Sequence, residues 1–232
     1  MNSNVRLAFS PKAELTSFET GLTFTDILFG FVIAELFVRL QNWPELPGFV
    51  RAQLIAATIL LLGSWIGFRR SVNRPRYELK FFNLPLWRFV LDQVMIVLYF
   101  RIAVATPSDL AKLDTVAAST VADETLTSLA LIFALYALWD VLGIAMAAAT
   151  SGGKPKYPKI EDGSMRDGVA AKRDFPSLAI TAVALAAFGA GALFVDTGAL
   201  GQAEAQVVFG LAAALLVAYR FAKEIKNSIQ RR

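Results

Sequence analysis

Apolar residues along the chain gather into six long stretches separated by short polar ones, near 22–40, 49–68, 84–104, 126–149, 177–196 and 203–222. Each is long enough to cross a hydrocarbon core, which takes about 20 helical residues. Segments such as "LIAATILLLGSWIGF" and "SLAITAVALAAFGAGALF" are apolar on every side and leave no face for water. The pattern predicts an all-α polytopic membrane protein with six transmembrane helices in a domain over 22–222. A polar N-terminal segment (1–21), a flexible loop (150–176) and a basic tail (223–232) flank or interrupt it. The first apolar run is too long for a signal-peptide core and no small-residue cleavage site follows it, so it is expected to be a retained span.

The side of each loop follows from charge. Arg6 and Lys12 precede the first stretch, and Arg69, Arg70, Arg74, Arg76 and Lys80 follow the second. Lys154, Lys156, Lys159, Arg166, Lys172 and Arg173 follow the fourth, and Arg220, Lys223, Lys226, Arg231 and Arg232 follow the sixth. These are most of the 23 basic residues, and they alternate with loops that are poor in Lys and Arg. The positive-inside rule then places both termini in the cytoplasm, which requires an even number of spans. A bacterial inner membrane is the expected location.

Composition supports this reading: of 232 residues, 56% are hydrophobic and only 18% charged. The mean hydropathy is +0.51. A soluble domain of this size is more polar. The sequence has no Cys and no His, which removes the usual zinc, haem and iron–sulfur ligand sets, and no cofactor is expected.

A few polar residues interrupt the spans: Asp26 and Glu35 on the first, Arg88, Asp92 and Arg101 on the third, and Asp140 on the fourth. A charge at mid-bilayer costs roughly 2.5–3.5 kcal/mol on insertion scales, so each needs a partner or water. Arg88 and Asp92 are one turn apart on one face, and alternating spans bring Asp140 to the same level, so an Arg88–Asp92–Asp140 cluster is expected as interhelical glue. Glu35 is expected either to pair with Arg39 or Arg101, or to face a water-filled path. Ile27, Phe31, Ala34 or Glu35, and Val38 share one helical stripe. The last two spans are expected to pack through small residues, Ala187 with Gly191 and Gly210 with Ala214.

The segment "FTDILFGFVIAELF" resembles the first helix of the transmembrane-protein-175 family of lysosomal and bacterial potassium channels, with Phe24, Thr25 and Asp26 in place of its Phe-Ser-Asp motif. Trp65 in "LLGSWIGFRR" and Asn83 before Leu84 are similar to features of that family's second and third helices. Order and spacing agree over about residues 22–100, and the later spans agree in number. The resemblance implies a homo-oligomer, a tetramer being favoured, with a pore lined by the first helix at Ile27, Phe31, Ala34, Glu35 and Val38. Phe31 would be the hydrophobic gate. Phe24, Thr25, Asp26, Trp65 and Asn83 would be scaffold.

The function expected first is therefore an oligomeric channel, cation-conducting, in contact with lipid, with copies of itself and with permeating ions. One alternative is a membrane effector gated by an anionic nucleotide or oligonucleotide, bound through Lys154, Lys156, Tyr157, Lys159, Arg166, Lys172 and Arg173. A solvated linker explains that loop at least as well. A small-molecule transporter is the second alternative, although no inverted repeat is visible. Enzyme activity is not expected: Asp92 and Asp140 lack the Gly-rich turn of an intramembrane aspartyl protease, and no nucleophile–base pair is apparent.

Overall fold

The computed structural model describes the backbone of residues 12–72, 84–113, 117–150 and 175–230, and the side chains of most of them. Six long helices account for nearly all of it: α1 (Lys12–Leu40), α2 (Gly48–Val72), α3 (Leu84–Val104), α5 (Ala118–Thr150), α6 (Phe175–Phe194) and α7 (Gln202–Gln230). A single turn, α4 (Leu110–Leu113), and two 3₁₀ turns lie in the connections. No strand occurs among the described residues.

Helix α3 begins and ends as the apolar pattern predicts, and the others run past it. Helix α1 extends ten residues earlier than expected, and α5, with 33 residues, is about 50 Å long. Continuous backbone hydrogen bonding explains the difference: a helix that leaves the hydrocarbon need not stop where hydropathy falls. Helix α7 likewise continues through residues read from sequence as a basic tail. Among the described residues, four helices contain segments long and apolar enough to cross a bilayer: Gly48–Arg69, Ala118–Ala145, Phe175–Phe194 and Gln202–Ile229. They mark the chain as an integral membrane protein. Helix α3 carries Arg88, Asp92 and Arg101 within a single span length.

The helices pack as a ring in the order α1, α3, α5, α6, α7, α2 and back to α1, with cross-contacts from α2 to α3 and from α5 to α7. Side-chain pairings fix their directions. Thr25 meets Gln93 and Arg39 meets Thr106, so α1 and α3 run parallel. Asp140 meets Ser177 while Gly191 faces Leu126, so α5 and α6 are antiparallel. Gly48 faces Gln206 and Gly63 faces Arg220, so α2 and α7 are parallel. The start of α1 and the end of α7 thus lie at one end of the bundle.

The interior is filled by Phe133, Phe209, Leu54, Leu129, Ile132 and Leu216, all essentially inaccessible. Phe133 stacks on Phe188 at 4.8 Å and meets Tyr219 edge-on at 4.9 Å, joining α5, α6 and α7. In a bilayer such packing, with interhelical hydrogen bonds, replaces the hydrophobic drive that water would supply. Gly191 faces Leu126 across the α5–α6 contact, whereas Gly210, Ala187 and Ala214 face outward. The expected small-residue contact at Gly210 and Ala214 is therefore not made within one chain.

Candidate functional site

Helix α1 has two unlike faces. Thr25, Phe29, Val32, Leu36 and Arg39 are buried against α2 and α3. Phe24, Ile27, Phe31, Ala34 and Val38 are exposed, Phe31 by 64%. Gly30 lies among them with no neighbour near its missing side chain. The ring thus leaves uncovered the stripe at Ile27, Phe31, Ala34 and Val38.

Glu35 stands at the margin of this stripe and Arg39 behind it. Arg39 Nη1 meets Glu35 Oε2 at 2.7 Å and also donates to the Glu35 carbonyl at 2.9 Å. Its Nε donates to the Thr106 carbonyl at 2.8 Å. Of the two partners considered for Glu35, the structure selects Arg39; Arg101 is exposed near the end of α3. Arg39 sits in the last turn of α1, where a cation also meets the negative end of the helix dipole.

At the other end, α1 is braced by residues singled out in the sequence. Arg69 Nη2 lies 2.7 Å from Asp26 Oδ2, and Trp65 Nε1 donates to Asp26 Oδ1 at 3.4 Å. The Arg69 guanidinium sits 5.9 Å from the Trp65 ring centre. Thr25, fully buried, accepts a hydrogen bond from Gln93 Nε2 at 3.1 Å. Phe24 is exposed beside them. Asn83 lies outside the described residues.

Of the expected Arg88–Asp92–Asp140 cluster, Arg88 and Asp92 remain together, and Asp140 takes a different charge partner. Asp92 lies in the field of Arg88. The Arg88 guanidinium also lies over the Trp139 ring, 3.4 Å from its centre. Asp140 takes its charge partner from α7: Lys223 Nζ approaches Asp140 Oδ2 at 3.0 Å. Thr181 Oγ1 donates to the same oxygen at 2.6 Å, Ser177 Oγ donates at 3.2 Å to Oδ1, and Lys223 also meets Ser177. Two hydroxyls and an ammonium thus satisfy a carboxylate that would be prohibitively costly alone.

Asp92, Trp139, Asp140, Ser177 and Lys223 line one cavity of about 600 Å³, to which all six long helices contribute residues. Two further cations line it, Arg220 one turn before Lys223 and Lys226 one turn after it. Arg220 Nη2 donates to Ser64 Oγ at 3.0 Å and approaches Tyr136 Oη at 3.4 Å. Ser64 and Tyr136 are themselves hydrogen-bonded, and Tyr136 continues to Tyr99 at 2.7 Å. Gly63 and Gly67 make room: a Cβ at Gly63 would collide with Arg220 Nε.

Sequence reasoning missed Arg220, Lys223, Ser177, Thr181 and Tyr136. It placed Arg220 and Lys223 among tail residues and read the last two spans as packing helices without a charged interior. A signal was present: the buried positions Ala205, Phe209, Ala212, Leu216 and Tyr219 recur at helical spacing, and the next step falls on Lys223. The loop residues Lys154, Lys156, Tyr157, Lys159, Arg166, Lys172 and Arg173 lie outside the described residues. Among the described residues no group of acidic side chains is arranged to hold a metal ion.

No family model, no curated protein and no solved structure matches the chain.

Proposed function

We propose that the chain is one subunit of a homo-oligomeric cation channel in a bacterial inner membrane, with six spans, both termini cytoplasmic, and α1 lining a shared axis in a tetramer. The observation that carries this reading is the uncovered stripe of α1, Ile27, Phe31, Ala34 and Val38, with a half-exposed carboxylate at its edge. An apolar stripe alone would suit lipid. A carboxylate that stays 40% exposed beside its Arg39 partner suits a hydrated axis better, because hydrocarbon offers its remaining lone pairs no hydrogen bonds. The resemblance of Phe24–Thr25–Asp26 and Trp65 to the transmembrane-protein-175 channels supports the same reading, as does the brace that holds Asp26 against Trp65.

In such an assembly Phe31 forms the constriction, since bulky apolar rings exclude water and ions from a narrow axis. Glu35 supplies carboxylates toward the other end. Arg39 is turned inward to Thr106, so the carboxylate is the member of the pair that meets the axis. Planar-bilayer currents test the proposal: Phe31→Ala raises conductance and Glu35→Gln changes selectivity. Currents indifferent to both substitutions would rule it out.

A further inference from the structure

Arg220 raises a separate question. It lies inside the candidate span Gln202–Ile229, partly buried, at the wall of the cavity. A cation inside a span is costly and normally meets an anion. Among the described residues no carboxylate comes within ion-pair distance of Arg220. Its hydrogen-bond partners, Ser64 and Tyr136, are neutral, and the rings of Tyr219 and Tyr136 lie 5.5 and 6.0 Å from its guanidinium carbon. Of the acids that line the cavity, Asp140 is held by Lys223, Ser177 and Thr181, Asp92 lies in the field of Arg88, and Glu224, one turn beyond Arg220, is exposed at the surface.

The space beside Arg220 is of ligand size. Small-molecule sites span about 300–1,000 Å³ and are mostly apolar with a few directed polar groups. This cavity, about 600 Å³, is lined by Phe29, Met95, Tyr99 and Trp139 around the polar residues. The guanidinium is also presented deliberately. Gly63 and Gly67 of α2 leave a channel in which it lies, and Ser64 and Tyr136 hold it in place. A planar guanidinium fixed in this way suits two-point pairing with a phosphate or carboxylate.

We propose that this cavity binds an amphipathic organic anion, with a phosphate or carboxylate paired to Arg220 and an apolar body against Phe29, Met95 and Trp139. The anionic group belongs either to a membrane lipid or to a soluble metabolite; the recognition chemistry is the same. The inference holds whether or not α1 lines a pore.

The test uses the full chain in nanodiscs of neutral phosphatidylcholine. Octyl phosphate is titrated calorimetrically against wild type, Arg220→Lys and Arg220→Gln, with octyl glucoside and inorganic phosphate as controls. A parallel arm adds phosphatidic acid to the nanodiscs and measures its retention by native mass spectrometry. Saturable octyl phosphate binding is expected, weakened about tenfold or more in Arg220→Gln and less in Arg220→Lys. Neither octyl glucoside nor inorganic phosphate should compete effectively. Arg220-dependent retention of phosphatidic acid identifies a lipid headgroup as the source; octyl phosphate binding without it identifies a soluble anion. Should Arg220→Gln fail to fold, Arg220→Lys retains the charge and still reads the loss of two-point pairing. The proposal is overturned if affinity and retention are the same in wild type and in the folded variants, or if neither probe binds wild type.

Discussion

Glu35 and Arg39 form an ion pair at 2.7 Å in which the two partners have opposite surroundings: the guanidinium is 7% exposed and the carboxylate 40%. Arg39 also ties the end of α1 to the Thr106 carbonyl, beyond the end of α3. The arginine is therefore structural and the glutamate is the accessible member.

Substitutions of the two should separate accordingly. Arg39→Gln loses charge-assisted hydrogen bonds in a buried setting and is expected to cost about 2 kcal/mol, read as a lower unfolding temperature in detergent. Glu35→Gln is expected to cost about 1 kcal/mol or less, because its carboxylate is substantially exposed. In the proposed channel, Glu35→Gln lowers the cation-to-anion permeability ratio. Equal stability losses would mean that the burial difference has no energetic meaning.

Asp140 and Lys223 are expected to behave as a buried pair. Asp140→Asn leaves an ammonium among Ser177, Thr181 and Tyr219 and should cost about 3 kcal/mol. The double variant Asp140→Leu/Lys223→Met should be more stable than the worse single variant, because no charge is left without its partner. Thermal unfolding of the three proteins checks this, and additive losses in the double variant would contradict it.

Gly63 is constrained by what lies opposite. Gly63→Ala places a methyl against Arg220 Nε and is expected to destabilise by about 1–3 kcal/mol. Gly67→Ala, whose nearest contact is 3.2 Å from Nη1, should be milder. Comparable unfolding temperatures for wild type and Gly63→Ala would show that Arg220 moves aside at little cost.

Hydropathy made the helices legible, since a bilayer demands long apolar runs, and α3 begins and ends where the pattern ends. Single charges were legible as anomalies: Asp26, Glu35 and Asp140 each have a partner, as the cost of burial requires. The choice of partner was harder to read. Asp140 is equally compatible in sequence with Arg88 on α3 or Lys223 on α7. Ring order leaves both open, because α5 contacts α3 and α7; the choice is made where Lys223 reaches Asp140 beside Ser177 and Thr181 of α6, while Arg88 lies over Trp139. Lys and Arg near a helix end look like topology signals whether they reach water or turn inward, so Arg220 and Lys223 were hidden among residues read as marking topology. Only the fold shows that Gly63 and Gly67 accommodate a guanidinium.

The account depends most on α1 lying at a shared axis, and the absence of cysteine from the chain makes this directly measurable. Single cysteines placed at Phe31 and at Val183, which is 70% exposed on α6, can be oxidised in native membranes and resolved by non-reducing electrophoresis. Disulfide-linked subunits from Phe31→Cys and none from Val183→Cys are predicted. Monomer alone from Phe31→Cys, with linkage through Val183→Cys or not at all, would place that stripe of α1 against lipid and contradict the account.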